Sequence, residues 1–208
     1  VTSEVMEPTD AWQAVAREAI ETAFQAQVGG IMQLPPQYSA KKIAGERAYD
    51  IARRGDVATL APVPVHIAAI KLLDVKMPDI EFEVDCASGT YIRAIARDVG
   101  ALLRTGGYLT RLRRTSVGGF HADQAVPLAD IADRARVNAA AIPPAQALAH
   151  LPALELTAEQ EKAIRFGQTV TAQQPMEGLV VLVRDGGLIA IAEADGQQLR
   201  PRKVMANV

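Results

Sequence analysis

Residues 79–102, "DIEFEVDCASGTYIRAIARDVGAL", change their hydrophobic period in mid-course. Ile80, Phe82, Val84 and Cys86 alternate with Glu81, Glu83 and Asp85, the pattern of a half-buried strand. From Ile92 onward the apolar residues fall at Ile92, Ile95, Val99 and Leu102, the spacing of an amphipathic helix. A strand that must bury one face and a helix that must bury one stripe, joined by a few residues, satisfy both demands by packing helix on sheet. The other segments show no regular strand–helix–strand alternation. The predicted class is therefore α+β.

The remaining sequence fits around that unit. Residues 8–30 read as one helix capped by Thr9 or Asp10, with Trp12, Val15, Ile20 and Phe24 on or near one face and Gly29 and Gly30 stopping it. A Pro-Pro loop follows, then a predicted helix ending at Gly55, then a long strand over "VPVHIAAIKLLDV". "LTRLRRTSVGGF" reads as a turn into a further strand. An Ala/Pro-rich stretch runs to about residue 150, where the character changes. Thr157 and Gln160 make a capping-box signature for a short helix. "GLVVLVR", "LIAIAEA" and "LRPRKVM" then read as three strands split by "DGG" and "DG" turns. Two domains are predicted, 1–150 and 151–208.

Chemistry is bounded by what is scarce. One cysteine, Cys86, excludes an internal disulfide and suits a reducing cytoplasm. It lies on the apolar face of its strand, where a buried, inert thiol is expected. The three histidines lack metal-ligand spacing, so no metal is expected. Ser39 and Ser88 lack a nucleophile elbow, and no glycine spacing matches a phosphate-binding loop, so no nucleotide cofactor is indicated. No signal peptide or membrane span is apparent. Net charge is only −2, yet residues 33–120 hold 13 Lys and Arg against 9 Asp and Glu, between acidic flanks. That middle permits an anionic partner.

The joint itself is unusual. Helix starts attract acids, because their free N–H groups carry partial positive charge, but here Arg93 stands in the first turn beside Tyr91. A surface ion pair is one reading. The other is a cleft in which Arg93 holds a carboxylate and Tyr91 stacks on a planar ring or exchanges a proton. Arg111 and Arg113 share one face if "RLRRT" is a strand, Leu112 and Arg114 the other. Phosphate contact beside an apolar pocket and a charge-protected edge strand both remain open.

Three stretches in order, "QLPPQYSAKKIAGERAYDIARRG", "VDCASGTYIRAIARDVG" and "LRRTSVGGF", resemble the TruB-type tRNA pseudouridine synthases. The resemblance implies a mixed, mostly antiparallel central sheet with flanking helices, and the tail, ending "LRPRKVM", is similar to the small, β-barrel-like PUA-type RNA-binding domain of that family. The resemblance implies an isomerase without cofactor. It flips a T-loop uridine, conventionally position 55, out of its tRNA, cuts its glycosidic bond and rejoins the base through carbon. It implies that Arg93 pairs with the nucleophilic aspartate, that Tyr91 contacts the flipped base and helps remove its proton, and that Leu112 packs on that base. Tyr38 and Lys41, in the "YSA" segment, either shape the cleft and meet RNA or serve packing. Arg200, Arg202 and Lys203 are candidate phosphate contacts for the tRNA acceptor end, or a solvated strand edge.

The nucleophile's G-x-L-D-P-x-A-x-G motif is absent from these 208 residues. Asp85 and Asp98 are poor substitutes, the first opposite its strand's apolar face and the second in mid-helix. The motif is expected upstream of Val1, and this chain alone is expected to be inactive. The alternative is a non-catalytic tRNA-binding or tRNA-folding protein built on the same platform. A cytoplasmic monomer with tRNA as partner is expected.

Overall fold

A computed structural model describes residues 10–39, 41–43, 45–56 and 59–205. The chain divides into two compact units, residues 1–112 and 113–208.

In the first unit the predicted N-terminal helix is interrupted. A short 3₁₀ turn, Asp10–Ala14, precedes α1, Arg17–Gln25. Ala16 breaks the run, its extended backbone serving as the N-cap of α1. The expected Thr9 cap lies outside the described residues. Gly29 and Gly30 open a strand, β1 (Gly29–Gln33), rather than merely ending a helix. Beyond the Pro-Pro loop, the single helix expected up to Gly55 is replaced by a two-residue hairpin and a short helix. These are β2 (Lys42–Ile43), β3 (Glu46–Arg47) and α2 (Ala48–Arg53). Gly45, at φ +92°, makes the hairpin turn possible.

Two long strands carry the sheet, β4 (Val63–Lys76) and β5 (Asp79–Cys86). The order is β1-β4-β5 and both pairings are antiparallel. The strand alternation appears as foreseen, with Ile80, Phe82, Val84 and Cys86 turned inward and Glu81, Glu83 and Asp85 exposed. Then comes α3, Ile92–Leu102. Its Ile95 and Val99 join Ile20, Ala23 and Phe24 of α1 and Ile67 of β4 in one core. Phe24 meets Phe82 at 4.8 Å between ring centroids, in the tilted arrangement that aromatic pairs favour. Leu102, assigned to the core by its spacing, is instead 56% exposed, as the last residue of the helix. Cys86 is half-buried rather than enclosed.

In the second unit, residues 113–115 form no strand. A two-residue hairpin of β6 (Ser116–Val117) and β7 (Phe120–His121) comes next, followed by α4 (Arg134–Ala140) and α5 (Pro144–Ala147). β8 (Ala153–Glu155) runs parallel to β9 (Val170–Arg184), and β9 pairs antiparallel with β10 (Gly187–Val204). Between β8 and β9 sits α6, Ala158–Arg165. Its N-terminus is the foreseen capping box: Thr157 Oγ1 accepts from the Gln160 N–H, and Gln160 Oε1 accepts from the Thr157 N–H.

The tail thus holds two long strands where three short ones were predicted. Asp195-Gly196 does not reverse the chain, and β10 runs on through it with a shift of register between Gly196 and Gln198. Such irregularities bend a strand, and Gly196 (φ +59°) and Gly178 (φ +75°) allow it. The sheet has the order β10-β9-β8, and no closed barrel is present among the described residues.

Candidate nucleic-acid site

The site grows from the joint between β5 and α3. Gly89, at φ +87°, turns the chain out of the strand, and Tyr91 becomes the N-cap residue of α3. No side chain from the helix's own start caps it, and its first turn contains no acid. The cap comes from elsewhere. Gln33, the last residue of β1 and fully buried, accepts from the Tyr91 N–H through Oε1 at 2.8 Å. Its Nε2 donates to the Tyr91 carbonyl at 3.2 Å. One carboxamide therefore satisfies both backbone groups of Tyr91, as a neighbouring strand would.

Two arginines one helical turn apart secure the segment after β1. Arg93 Nη2 donates to the Tyr38 carbonyl at 2.7 Å, and Arg97 Nη2 donates to the Leu34 carbonyl at 2.9 Å. Pro35 between them is fully buried. Arg97 is also paired with Asp98, at 2.7 Å. Arg93 is exposed and, among the described residues, meets no carboxylate. Among the described residues the partner seen is a neutral carbonyl.

Around Tyr38 the chain folds on itself. Its ring meets Tyr49 edge-on with 6.1 Å between centroids, and the Arg53 guanidinium lies 5.7 Å from the Tyr49 ring centre. The Tyr49 N–H donates to the Ser39 carbonyl, and the Ala48 N–H to that of Lys41. Lys41 itself is exposed. Arg54 and Glu46 form an ion pair that holds the Glu46 carboxyl below the usual carboxylate range, chiefly through the hydrogen bond from Arg54. Ser39 and Thr90, one beside Tyr38 and one beside Tyr91, each bury a hydroxyl that meets no hydrogen-bond partner among the described residues. Groups left unpaired in this way cost about 1–3 kcal/mol each, and such costs gather where a site is held for function.

The structure therefore brings together Tyr91, Arg93 and Tyr38. It does not make a strand of residues 111–115, so the argument that placed Arg111 and Arg113 on one face lapses. Arg111, Leu112, Arg113 and Arg114 are all exposed, with Leu112 at 66%. The irregular backbone there follows a glycine turn, where Gly107 approaches the helix so closely that a Cβ would overlap the Ala96 carbonyl. In the tail, Arg202 is paired with Glu193, while Arg200 and Lys203 are exposed. Sequence reasoning missed Gln33 and Arg97. The one available signal was a glutamine ending a short strand just before Pro-Pro, a polar residue in an otherwise apolar and glycine-rich run. Among the described residues, no group of three His, Cys, Asp or Glu is gathered as a metal would need, and no helix is long and apolar enough to cross a membrane.

This geometry meets a consistent set of likenesses. Residues 1–92 match the N-terminal domain of TruB family pseudouridylate synthase, and residues 93–151 the tRNA pseudouridylate synthase B C-terminal domain. Residues 152–205 match the C-terminal domain of pseudouridine synthase II TruB. The chain belongs to the TruB family of pseudouridylate synthases. The tRNA pseudouridine synthase B of Bradyrhizobium diazoefficiens is 40% identical over 203 residues, which are 90% of this chain and 58% of that protein. The protein of the same name from Mycobacterium ulcerans is 40% identical over 196 residues, 88% of this chain and 58% of its own length. The chain thus spans little more than half of these relatives. A crystal structure of a Cbf5-Nop10-Gar1 complex contains a chain of the same fold. Its TM-score is 0.70 at 22% identity, covering 91% of this chain and 62% of that one.

Proposed function

We propose that this chain is the larger part of a tRNA pseudouridine(55) synthase, an isomerase that acts on a uridine flipped out of the tRNA T-loop. The observation that carries the reading is Arg93: a guanidinium fixed at a helix start by a neutral carbonyl, with no carboxylate against it among the described residues. In the proposed enzyme, an aspartate from a segment upstream of Val1 pairs with Arg93, which keeps it ionised and aimed at the sugar carbon. Tyr91 contacts the extruded base and assists removal of the proton at its new attachment carbon. Leu112 packs on the base, and Arg111 and Arg113 meet backbone phosphates. Extrusion costs a few kcal/mol of unstacking, offset by these contacts. Tyr38 and Lys41 line the RNA side of the cleft. No cofactor takes part.

Residues 151–208 act as a PUA-like module for the acceptor end of tRNA, through Arg200 and Lys203. A domain boundary at 150/151 is supported by the junction of two family matches at 151/152. The proposed enzyme works as a cytoplasmic monomer.

The test is pseudouridine formation on a T-arm RNA by the full-length protein. Arg93→Ala is expected to lower the single-turnover rate by about a hundredfold or more, the loss typical of removing a group that holds reacting charge, with folding intact. A rate near the parent's removes Arg93 from the chemistry. A full-length parent that binds T-arm RNA and forms no pseudouridine supports the non-catalytic reading instead. The 208-residue chain alone is expected to form none.

A further inference from the structure

We propose that Gln33 is a positioning residue for the reaction: its buried carboxamide fixes the backbone of Tyr91 and thereby the aim of Tyr91 and Arg93. The inference rests on the role given to Tyr91 above, and extends it to a residue 58 positions away in sequence.

Three observations carry it. The N-terminus of α3 has no side-chain cap of its own, and while the Tyr91 carbonyl accepts from the Ala94 and Ile95 N–H groups of the helix, no group of the helix meets the Tyr91 N–H. Gln33 supplies the partner of the Tyr91 N–H, accepting at 2.8 Å, and adds a donor to the Tyr91 carbonyl at 3.2 Å. Gln33 is itself held, because it ends β1 in register with Val63 of β4 and is fully buried. Three rotatable bonds set the position of its amide, and enclosure removes that freedom. The amide thus links a sheet strand rigidly to the residue that starts the helix. Arg93 and Arg97 tie the chain immediately after Gln33 to the first two turns of the same helix. Loss of the Gln33 amide leaves those two ties and the helix's own bonds to the Tyr91 carbonyl in place, and strips the Tyr91 N–H of its partner. The expected defect is accordingly in aim and not in overall fold. Catalytic groups misplaced by an ångström lose rate steeply.

Gln33→Met keeps the volume and deletes both hydrogen bonds. Gln33→Glu keeps the acceptor for the Tyr91 N–H and loses the donor until its carboxyl is protonated. In the full-length protein, Gln33→Met is expected to lower the single-turnover rate on T-arm RNA by about tenfold or more while RNA affinity stays within about twofold, since no RNA contact is removed. Its Tyr91 amide should exchange with solvent faster than in the parent, by NMR, while amides in β4 keep their protection. Gln33→Glu should be slow at neutral pH and regain rate, relative to the parent, as pH falls and the acid begins to donate to the Tyr91 carbonyl. That recovery is not expected of a residue serving only stability, and it can be read even if Gln33→Met fails to fold. Parental rates in both Gln33 variants, alongside a slow Tyr91→Phe, would overturn the positioning role. Parental rates in Tyr91→Phe and Arg93→Ala would instead overturn the site reading on which it rests, whatever Gln33 does.

Discussion

Two helix starts in this molecule are built on opposite plans. At α6, everything needed lies within the nine residues from Thr157 to Arg165. Thr157 and Gln160 cap each other's backbone, Glu159 and Glu161 place negative charge in the first turn, and Lys162 and Arg165 place positive charge near the end. At α3 none of this is present: the N-cap residue is a tyrosine, the first turn carries an arginine, and the capping partner is Gln33 from another strand. Local consistency is the ordinary condition of a stable element, and a breach of it that distant residues must repair marks a place kept for something other than stability. The helix that agrees with its own sequence is structural. The helix that contradicts it carries Tyr91 and Arg93.

That contrast can be strained from either side. The largest structural effect is expected at the far end of α3. A Cβ on Gly100 would overlap the carbonyl group of Gly106 and the nitrogen of Gly107, backbone atoms that cannot swing aside. Gly100→Ala should therefore cost about 3 kcal/mol or more, seen in the denaturant midpoint, with the transition of residues 1–112 affected first. A loss below about 1 kcal/mol would mean that the turn at Gly106 and Gly107 yields to the added methyl group.

Next in size is Thr157→Ala, which removes one half of the capping box. It should cost about 1 kcal/mol by denaturant unfolding, and the pseudouridylation rate at saturating RNA should be unchanged. A rate loss comparable to that of Arg93→Ala would erase the distinction between the two helix starts.

The smallest effect belongs to a local contact beside the site, the Glu46–Arg54 pair. Arg54 lowers the Glu46 pKa in the folded state, so the unfolded chain takes up a proton first as pH falls. The pair's contribution is present above the unfolded carboxylate value and is lost as pH drops through the lowered folded value. The thermal midpoints of the parent and Glu46→Gln should differ slightly near neutrality and converge below about pH 4. Both groups are exposed, so the gap should be small throughout. A gap that widens with acid would reverse the assignment.

These cases also mark what was legible in the sequence. The alternation in β5, the apolar stripe of α3 and the capping box are contained within their own segments, and each was read correctly from neighbours a few positions apart. Family motifs carried the assignment of Tyr91 and Arg93. Leu102 was misread because helical spacing says which face a residue shares, not whether the partner sheet extends that far. Asp195-Gly196 was misread because a turn dipeptide permits reversal without compelling it, and glycines at 178 and 196 let the paired strands absorb an irregularity. The segment at 111–115 alternates like a strand but has none of the pairing that would make it one. Gln33 was invisible for a plainer reason. A buried amide is recognised by what it bonds, and its partner is 58 residues away.

Arg93 and Arg97 stand one turn apart and differ in one respect, the electrical nature of what they grip. Arg97 faces Asp98, so its field is largely cancelled a short distance out. Arg93 is moored to an uncharged oxygen, and among the described residues no carboxylate is paired with it. It acts as a small fixed electrode. An approaching anion meets its full attraction and has no rival ion to evict, and the encounter should slow as added salt shrinks the reach of that field.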